Sequence, residues 1–379
     1  MSLAKLGACA SALALLVATP ALAEIKIGAS LAVTGPASFL GDPEAKTLEM
    51  LVKQLNATGG INGEEVELVL YDDGADPNKA RTFATRLIEE DEVVAVIGGS
   101  STGATMAMAP LFTDAEIPFV SLAGAVVIID PVKEYVFKTP HTDRMACLKI
   151  FEDIKKRGMS KIGLISGTGG FGKSMRAQCL DVAGEAGVEI VADETYGPGD
   201  ADVTPQLTNI ANTAGVEAIV NPGFGQGPAV VTRNYAQLGL KMPFYQSHGV
   251  ASDSFIHLAG DAANGVRLPA TPMLIPGKLA DDDVQKAAVT SYIADYKATY
   301  GEAPSTFGGY AYDAFNMVVN AIKAKGSSEP QAIRDGLEET SGYAGVTGVY
   351  TMSATDHLGL DLTAFRMLEI QEGTWVPVE

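Results

Sequence analysis

Val93-Val94-Ala95-Val96-Ile97-Gly98-Gly99-Ser100-Ser101-Thr102-Gly103-Ala104-Thr105 is the stretch on which the reading of the chain turns. Its first five residues are apolar and mostly β-branched, with no polar alternation. That pattern predicts a short strand buried on both faces. A helix is expected over 105–115. Between strand and helix stand three glycines, three hydroxyl side chains and one alanine. Open α/β sheets bind ligands beyond the carboxyl ends of their strands, and the free N–H groups of a helix start favour an anion. Hydroxyls and N–H groups can hold a carboxylate without lysine or arginine. The competing reading is local: Ser100, Ser101 or Thr102 caps the helix and does nothing more.

Outward from this stretch the same rhythm continues. Strands are predicted at 25–33, 66–71 and 119–122, and helices at 43–56 and 77–90. In the first helix Leu48, Leu51, Val52 and Leu55 share a face. A second run has strands at 161–166, 189–194, 218–221 and 244–246, with helices at 172–186, 204–214 and 229–238. Val284, Ala288, Tyr292, Tyr296 and Tyr300 recur every fourth residue, which predicts an amphipathic helix. Another helix is expected at 310–324, and strands with a hairpin at 349–352, 364–369 and 374–378. Strand–helix alternation of this kind predicts an α/β fold with mostly parallel sheets. The length suggests two domains. No low-complexity linker separates the two runs, so two similar units joined by several short crossings are expected.

The N-terminus has the pattern of a secretory signal peptide. Lys5 precedes an apolar stretch at 10–17, and Ala21-Leu22-Ala23 offers small residues at a cleavage site. The apolar stretch is too short to span a bilayer, which takes about 20 residues. Leu6-Gly7-Ala8-Cys9 has the letters of a lipoprotein box but precedes the apolar run, which argues against a lipid anchor. A chain starting near Glu24 is expected, exported from the cytoplasm. The formal charge is −19. Such acidity disfavours nucleic acid and anionic membrane surfaces as partners. Cys9 would leave with the signal. Cys147 and Cys179 remain in helix-like segments, either paired in an oxidising compartment or separately buried as thiols.

Catalytic patterns are absent from the sequence. Its four histidines, His141, His248, His257 and His357, show no metal-ligand spacing, and no serine lies in G-x-S-x-G. No metal, cofactor or catalytic residue is assigned. One sequence deserves weighing: Gly167-Thr168-Gly169-Gly170-Phe171-Gly172 matches G-x-G-x-x-G between a strand and a helix. A dinucleotide-dependent enzyme would place a pyrophosphate there. The motif opens the second unit and not the first, so a tight turn that presents Phe171 is the favoured reading.

These residues bring the chain to a known family. It resembles the type I periplasmic substrate-binding proteins of ABC transporters, in the leucine/isoleucine/valine-binding group. The carriers, in order, are Thr34-Gly35-Pro36 with Gly41, Thr58-Gly59-Gly60-Ile61-Asn62-Gly63, and Tyr71-Asp72-Asp73 with Asp76-Pro77. Ile97-Gly98-Gly99, the run 118–121, Phe171-Gly172, Thr204-Pro205-Gln206-Leu207 after Asp200, and Tyr310-Ala311-Tyr312-Asp313-Ala314 follow. The resemblance implies two Rossmann-like lobes with ligand between them, and crossings near 138–142, 267–273 and 348–351. The lobes are then 24–140 plus 272–348, and 141–271 plus 349–379. It implies a monomer that closes on a small molecule and docks on an ABC permease, and no enzyme activity.

The resemblance also implies site residues. Thr102, beside Ser101, matches the hydroxyl that holds the ligand carboxylate. Ala123 matches a backbone contact, and Ala125 stands where the family often has threonine. Leu40 or Phe39 matches an aromatic wall residue of the first lobe. Phe171 and Phe224 match two tyrosines of the second. His248 stands where amino-acid binders place a glutamate for the ligand ammonium. His141 lies just past the first crossing. A carboxylate end retained without an ammonium partner points to an acid that is not an amino acid, aromatic or hydrophobic, with a branched-chain amino acid as the alternative. A dinucleotide enzyme or a ligand-sensing module are the readings from other classes.

Overall fold

The computed structural model describes residues 24–378. The expected signal segment, 1–23, lies outside the described residues. The first unit runs β1 (Ile25–Leu31), α1 (Ser38–Ala57), β2 (Val66–Asp72), α2 (Pro77–Glu89), β3 (Ala95–Gly98), α3 (Thr102–Asp114), β4 (Phe119–Ser121) and β5 (Val136–Lys138). Its strands form one parallel sheet in the order β2-β1-β3-β4-β5. β3, read from its apolar run, is buried along its whole length.

The second unit repeats the plan. It runs α4 (Asp143–Lys156), β6 (Lys161–Gly167), α5 (Gly170–Ala183), β7 (Glu189–Tyr196), α6 (Thr204–Asn212), β8 (Ala218–Asn221), α7 (Gly227–Gln237), β9 (Phe244–Gln246), α8 (Asp253–Ala259) and β10 (Arg267–Ala270). The parallel strands lie in the order β7-β6-β8-β9-β10. Counted from each unit's first strand, this is the order of the first sheet. The chain then returns to the first unit through α9 (Lys286–Tyr300), α10 (Thr306–Lys325) and α11 (Pro330–Glu338). A two-strand ribbon of β11 (Tyr343–Ala344) and β12 (Val349–Tyr350) follows. β13 (Arg366–Gln371) and β14 (Thr374–Pro377) end the chain as an antiparallel hairpin on the edge of the second sheet.

Three apolar cores hold these layers. One joins the first sheet to α1, α9 and α10. The Tyr292 hydroxyl meets Thr47 Oγ1 at 2.8 Å, which ties α9 to α1 inside it. A second core covers the α2 and α3 face of the first sheet and continues onto α4 and α5. The third lies under α6, α7 and α8.

Two expectations are corrected. The helix expected from Pro43 begins at Ser38, with Pro43 inside it. A proline early in a helix forfeits a single N–H bond, and the extra turn buries Leu40. The third passage between units comes at 362–365 and not at 348–351. His357 stays on the first sheet: its ring stacks on Phe137 at 4.0 Å, its Nδ1 meets the Val136 carbonyl at 2.9 Å, and its carbonyl accepts the Lys138 N–H at 3.1 Å. The residues between β12 and 362 therefore run beside β5.

Cys147 on α4 and Cys179 on α5 form a disulfide, with Cα atoms 5.2 Å apart. The bond closes a loop with a sequence separation of 32. Loop-closure entropy of that size corresponds to about 3–4 kcal/mol. Denaturant unfolding of a Cys147→Ala, Cys179→Ala double variant should show a loss of about that size. Equal midpoints for variant and native chain would mean that the bond does not stabilise the fold.

Candidate functional site

In a doubly wound sheet the ligand crevice opens at the carboxyl edge, where the strand order reverses. Both sheets have that reversal, between β1 and β3 in the first and between β6 and β8 in the second. The two carboxyl edges face each other across a cavity of about 380 Å³, mouth included. From the first edge come Ser100, Ser101 and Thr102 after β3, Leu122, Ala123 and Gly124 after β4, and Pro140 after β5. From the second come Phe171 after β6, Phe224 after β8, and His248 and Gly249 after β9. Leu40 on α1, and Phe307 and Tyr310 on α10, complete the wall.

The three hydroxyls of the opening stretch divide their work. Ser101 caps α3, its Oγ accepting the Ala104 N–H at 3.2 Å. Ser100 Oγ accepts the Ala32 N–H at 3.0 Å and donates to the buried carboxyl of Glu44. Thr102 Oγ1 is buried and has no hydrogen-bond partner among the described residues. So local capping accounts for Ser101 and leaves Thr102 unexplained. A buried hydroxyl without a partner carries a desolvation cost that a ligand oxygen can relieve.

The other sequence-predicted residues divide as well. Leu40, Ala123, Phe171, Phe224 and His248 line the cavity with Ser101 and Thr102. Ala123 offers less than expected, because its N–H already donates to Ser121 Oγ at 3.2 Å. Ala125 is fully buried but lies off the cavity wall, at the start of a short turn. Phe39 points away, packing edge-on against Phe307 at 5.6 Å and lining a neighbouring groove. His141 lies behind the wall, stacked on Phe365 at 4.0 Å. Phe307 and Tyr310 are additions from the structure. The sequence offered only the 310–314 motif for them, and helix periodicity reads their positions as core.

Contact across the cavity is close. A Cβ on Gly124 would lie 2.8 Å from His248 Nε2 and 2.9 Å from Phe171 Cε2. The first edge thus has no room for a side chain where the second edge's rings meet it. Phe171 stands edge-on to both Phe224, at 6.1 Å, and His248, at 5.4 Å. The glycine-rich turn at 167–172 makes this possible. A Cβ on Gly172 would sit 2.1 Å from the Gly167 carbonyl oxygen, so the turn folds tightly on itself and delivers Phe171 to the wall.

Among the described residues, no aspartate or glutamate lines the cavity. The nearest buried carboxyls serve the fold. Asp143 Oδ1 accepts the N–H groups of Val126, at 2.8 Å, and Arg144, at 2.9 Å. Glu44, behind Ser100, is pushed up to about 8 by burial, despite its hydrogen bond with Ser100. His248 is held well below its ordinary value, first by burial and then by His141 and Lys138. Lys138, fully buried, is pushed down to about 7 by burial, opposed by Asp143. Around neutral pH the wall therefore presents hydroxyls, a neutral imidazole and apolar rings.

The two facing carboxyl edges define a two-lobed α/β ligand-binding architecture. Residues 24–374 match the family model described as "Periplasmic binding protein", and the chain belongs to that family. A leucine-, isoleucine-, valine-, threonine- and alanine-binding protein of Pseudomonas aeruginosa is 25% identical over 315 residues, covering 83% of this chain and 82% of the relative. An extracellular ligand-binding receptor from Rhodopseudomonas palustris HaA2 superposes with a TM-score of 0.88 at 29% identity, over 94% of this chain and 100% of the receptor. The substrate binding protein LivJ of Streptococcus pneumoniae, solved with isoleucine, has a TM-score of 0.81 at 27% identity, with 94% and 100% covered.

The raised Glu44 carboxyl gives a pH test. Its folded value exceeds the unfolded one, so its contribution favours the fold at low pH. That contribution fades as pH rises from the unfolded value of 4.5 to about 8. Compared with Glu44→Gln, the native chain should lose melting temperature between pH 5 and pH 8, on the order of a few kcal/mol in free energy. A native-minus-variant difference that stays constant across that window would mean that Glu44 is ionised throughout it.

Proposed function

We propose that the chain is the exported solute receptor of an ABC importer and that its cleft takes a small carboxylate with an aromatic or hydrophobic body. The signal segment at 1–23 would carry it to the periplasm. The passages at 139–142, 271–275 and 362–365 would act as the hinge on which two lobes close before docking on the permease.

The observation that carries the ligand class is the uncharged wall. Thr102 Oγ1 is unpartnered at the start of α3, where free N–H groups and the helix dipole favour an anion. Among the described residues no carboxylate lines the cavity to meet an ammonium, and burial keeps His248 neutral. An unpaired ammonium there would cost several kcal/mol. Leu40, Phe171, Phe224 and Phe307 offer apolar and aromatic surface on which a ring can stack. A branched-chain amino acid is the second reading, favoured by relatives named for such ligands.

Calorimetric titration of the mature protein with leucine, isoleucine, valine, benzoate and 3-phenylpropenoate separates the two readings. The aromatic acids should bind and the amino acids should not. Thr102→Ala should then cost about 1–3 kcal/mol of binding, the range for a hydrogen bond to a charged group, and the methyl esters should bind more weakly still. Tight leucine binding with no response to an aromatic acid would remove the acid reading and leave the receptor.

A further inference from the structure

Tyr310 occupies the second turn of α10, and its ring is part of the cavity wall. The residue is 2% exposed, and its hydroxyl has no hydrogen-bond partner among the described residues. The fold does not use that hydroxyl to place the helix. The Thr139 hydroxyl donates to the Tyr310 carbonyl at 2.9 Å and pins this turn of α10 to the end of β5. The ring itself packs beside Phe307 and His141, with centroids 6.3 Å and 6.2 Å away. Burial raises the phenol above its ordinary value, so it stays a protonated donor.

Its place along the cleft distinguishes it from Thr102. Thr102 follows β3, while the Thr139 that anchors Tyr310 follows β5, and β4 lies between them. Two inter-strand spacings separate these points, about 9–10 Å along the rim. Leu122 lines the wall after β4, and Phe171 reaches across from the second edge. The cavity wall thus includes two residues with unpartnered hydroxyls, Thr102 after β3 and Tyr310 on the turn of α10 pinned beside β5, with apolar side chains lining the wall between these strands.

We infer that Tyr310 is a specificity-determining residue that reads a second oxygen of the ligand, at the end remote from the carboxylate. This rests on the carboxylate reading of the cleft. The favoured ligands are then acids with a hydroxyl or carbonyl oxygen about one ring away from the carboxylate. The phenol donates to that oxygen, and an acid without it leaves the phenol unpartnered.

The test uses two matched pairs of probes, benzoate with 4-hydroxybenzoate and cinnamate with 4-hydroxycinnamate. Each is titrated calorimetrically into the mature chain and into Tyr310→Phe, with melting temperatures measured alongside. The native chain should bind the hydroxylated member of at least one pair about tenfold more tightly, as one added hydrogen bond allows. Tyr310→Phe should bring the two members of that pair within about twofold. The loss should fall on the hydroxylated member, with a smaller change for the unsubstituted acid, and a native-like melting temperature should report an intact fold. A preference that survives in Tyr310→Phe, or a native chain indifferent to the hydroxyl, overturns the inference. So does an equal weakening of both members, which would show a packing role. If no aromatic acid binds the native chain, the carboxylate reading itself has failed and this inference falls with it.

Discussion

A charged group that enters the cleft leaves water and must be met by what the walls supply, and the walls supply neutral dipoles. This constraint organises the site. Thr102 can donate to an oxygen, as can the N–H groups at the start of α3, while neutral His248 and the phenylalanines add no charge of either sign. An anion can be held by several converging donors because each contributes part of a positive potential. A compact ammonium needs acceptors, and the carboxyls of Asp143 and Glu44 lie off the cavity wall, each with one oxygen engaged inside the fold. The selectivity proposed here follows from what the wall omits as much as from what it contains.

That wall depends on the repetition of one topology. Because both sheets run in the same strand order, each turns its carboxyl edge to the other, and the loop after β9 answers the loop after β4. Gly124 and His248 lie in these two loops, and their contact leaves no space for a Cβ on the first. Behind the cavity, where the chain passes between units, polar groups are tied together. Asp313 accepts the N–H groups of Val346 and Thr347, each at 2.8 Å, and the Tyr350 hydroxyl donates to the Thr139 carbonyl at 2.9 Å. Burial raises Asp313 to about 6, against these hydrogen bonds. Lys138 Nζ reaches the His141 carbonyl at 3.4 Å. Such a network fixes the strap that carries Pro140 along the cavity wall.

Much of this was legible in the sequence, for identifiable reasons. The apolar run before Gly98 could only be a strand buried on both faces, and β3 is one. The hydroxyls after it could be ranked only by geometry, because capping and ligand contact use the same residue types at the same place. Ser101 took the cap and Thr102 was left free. Sequence reading placed Phe39 and Leu40 as interchangeable wall residues; the early start of α1 turned only Leu40 to the cavity. Ala125 and His141 fell one layer behind the wall, since adjacency to a site loop does not fix the direction of a side chain. Tyr310 and Phe307 were hidden because they approach from a helix distant in sequence. The late third passage was hidden because His357 pairs with the edge of β5, a contact without a local pattern.

The central claim is that the cleft accepts a carboxylate and refuses an adjacent ammonium. Phenylalanine and 3-phenylpropanoate differ in that group alone, so their dissociation constants for the mature protein, measured by calorimetry in one buffer near neutral pH, isolate it. 3-Phenylpropanoate should bind at least about a hundredfold more tightly, the equivalent of roughly 2.7 kcal/mol for a buried charge left unpaired. Equal affinities, or a preference for phenylalanine, would contradict it.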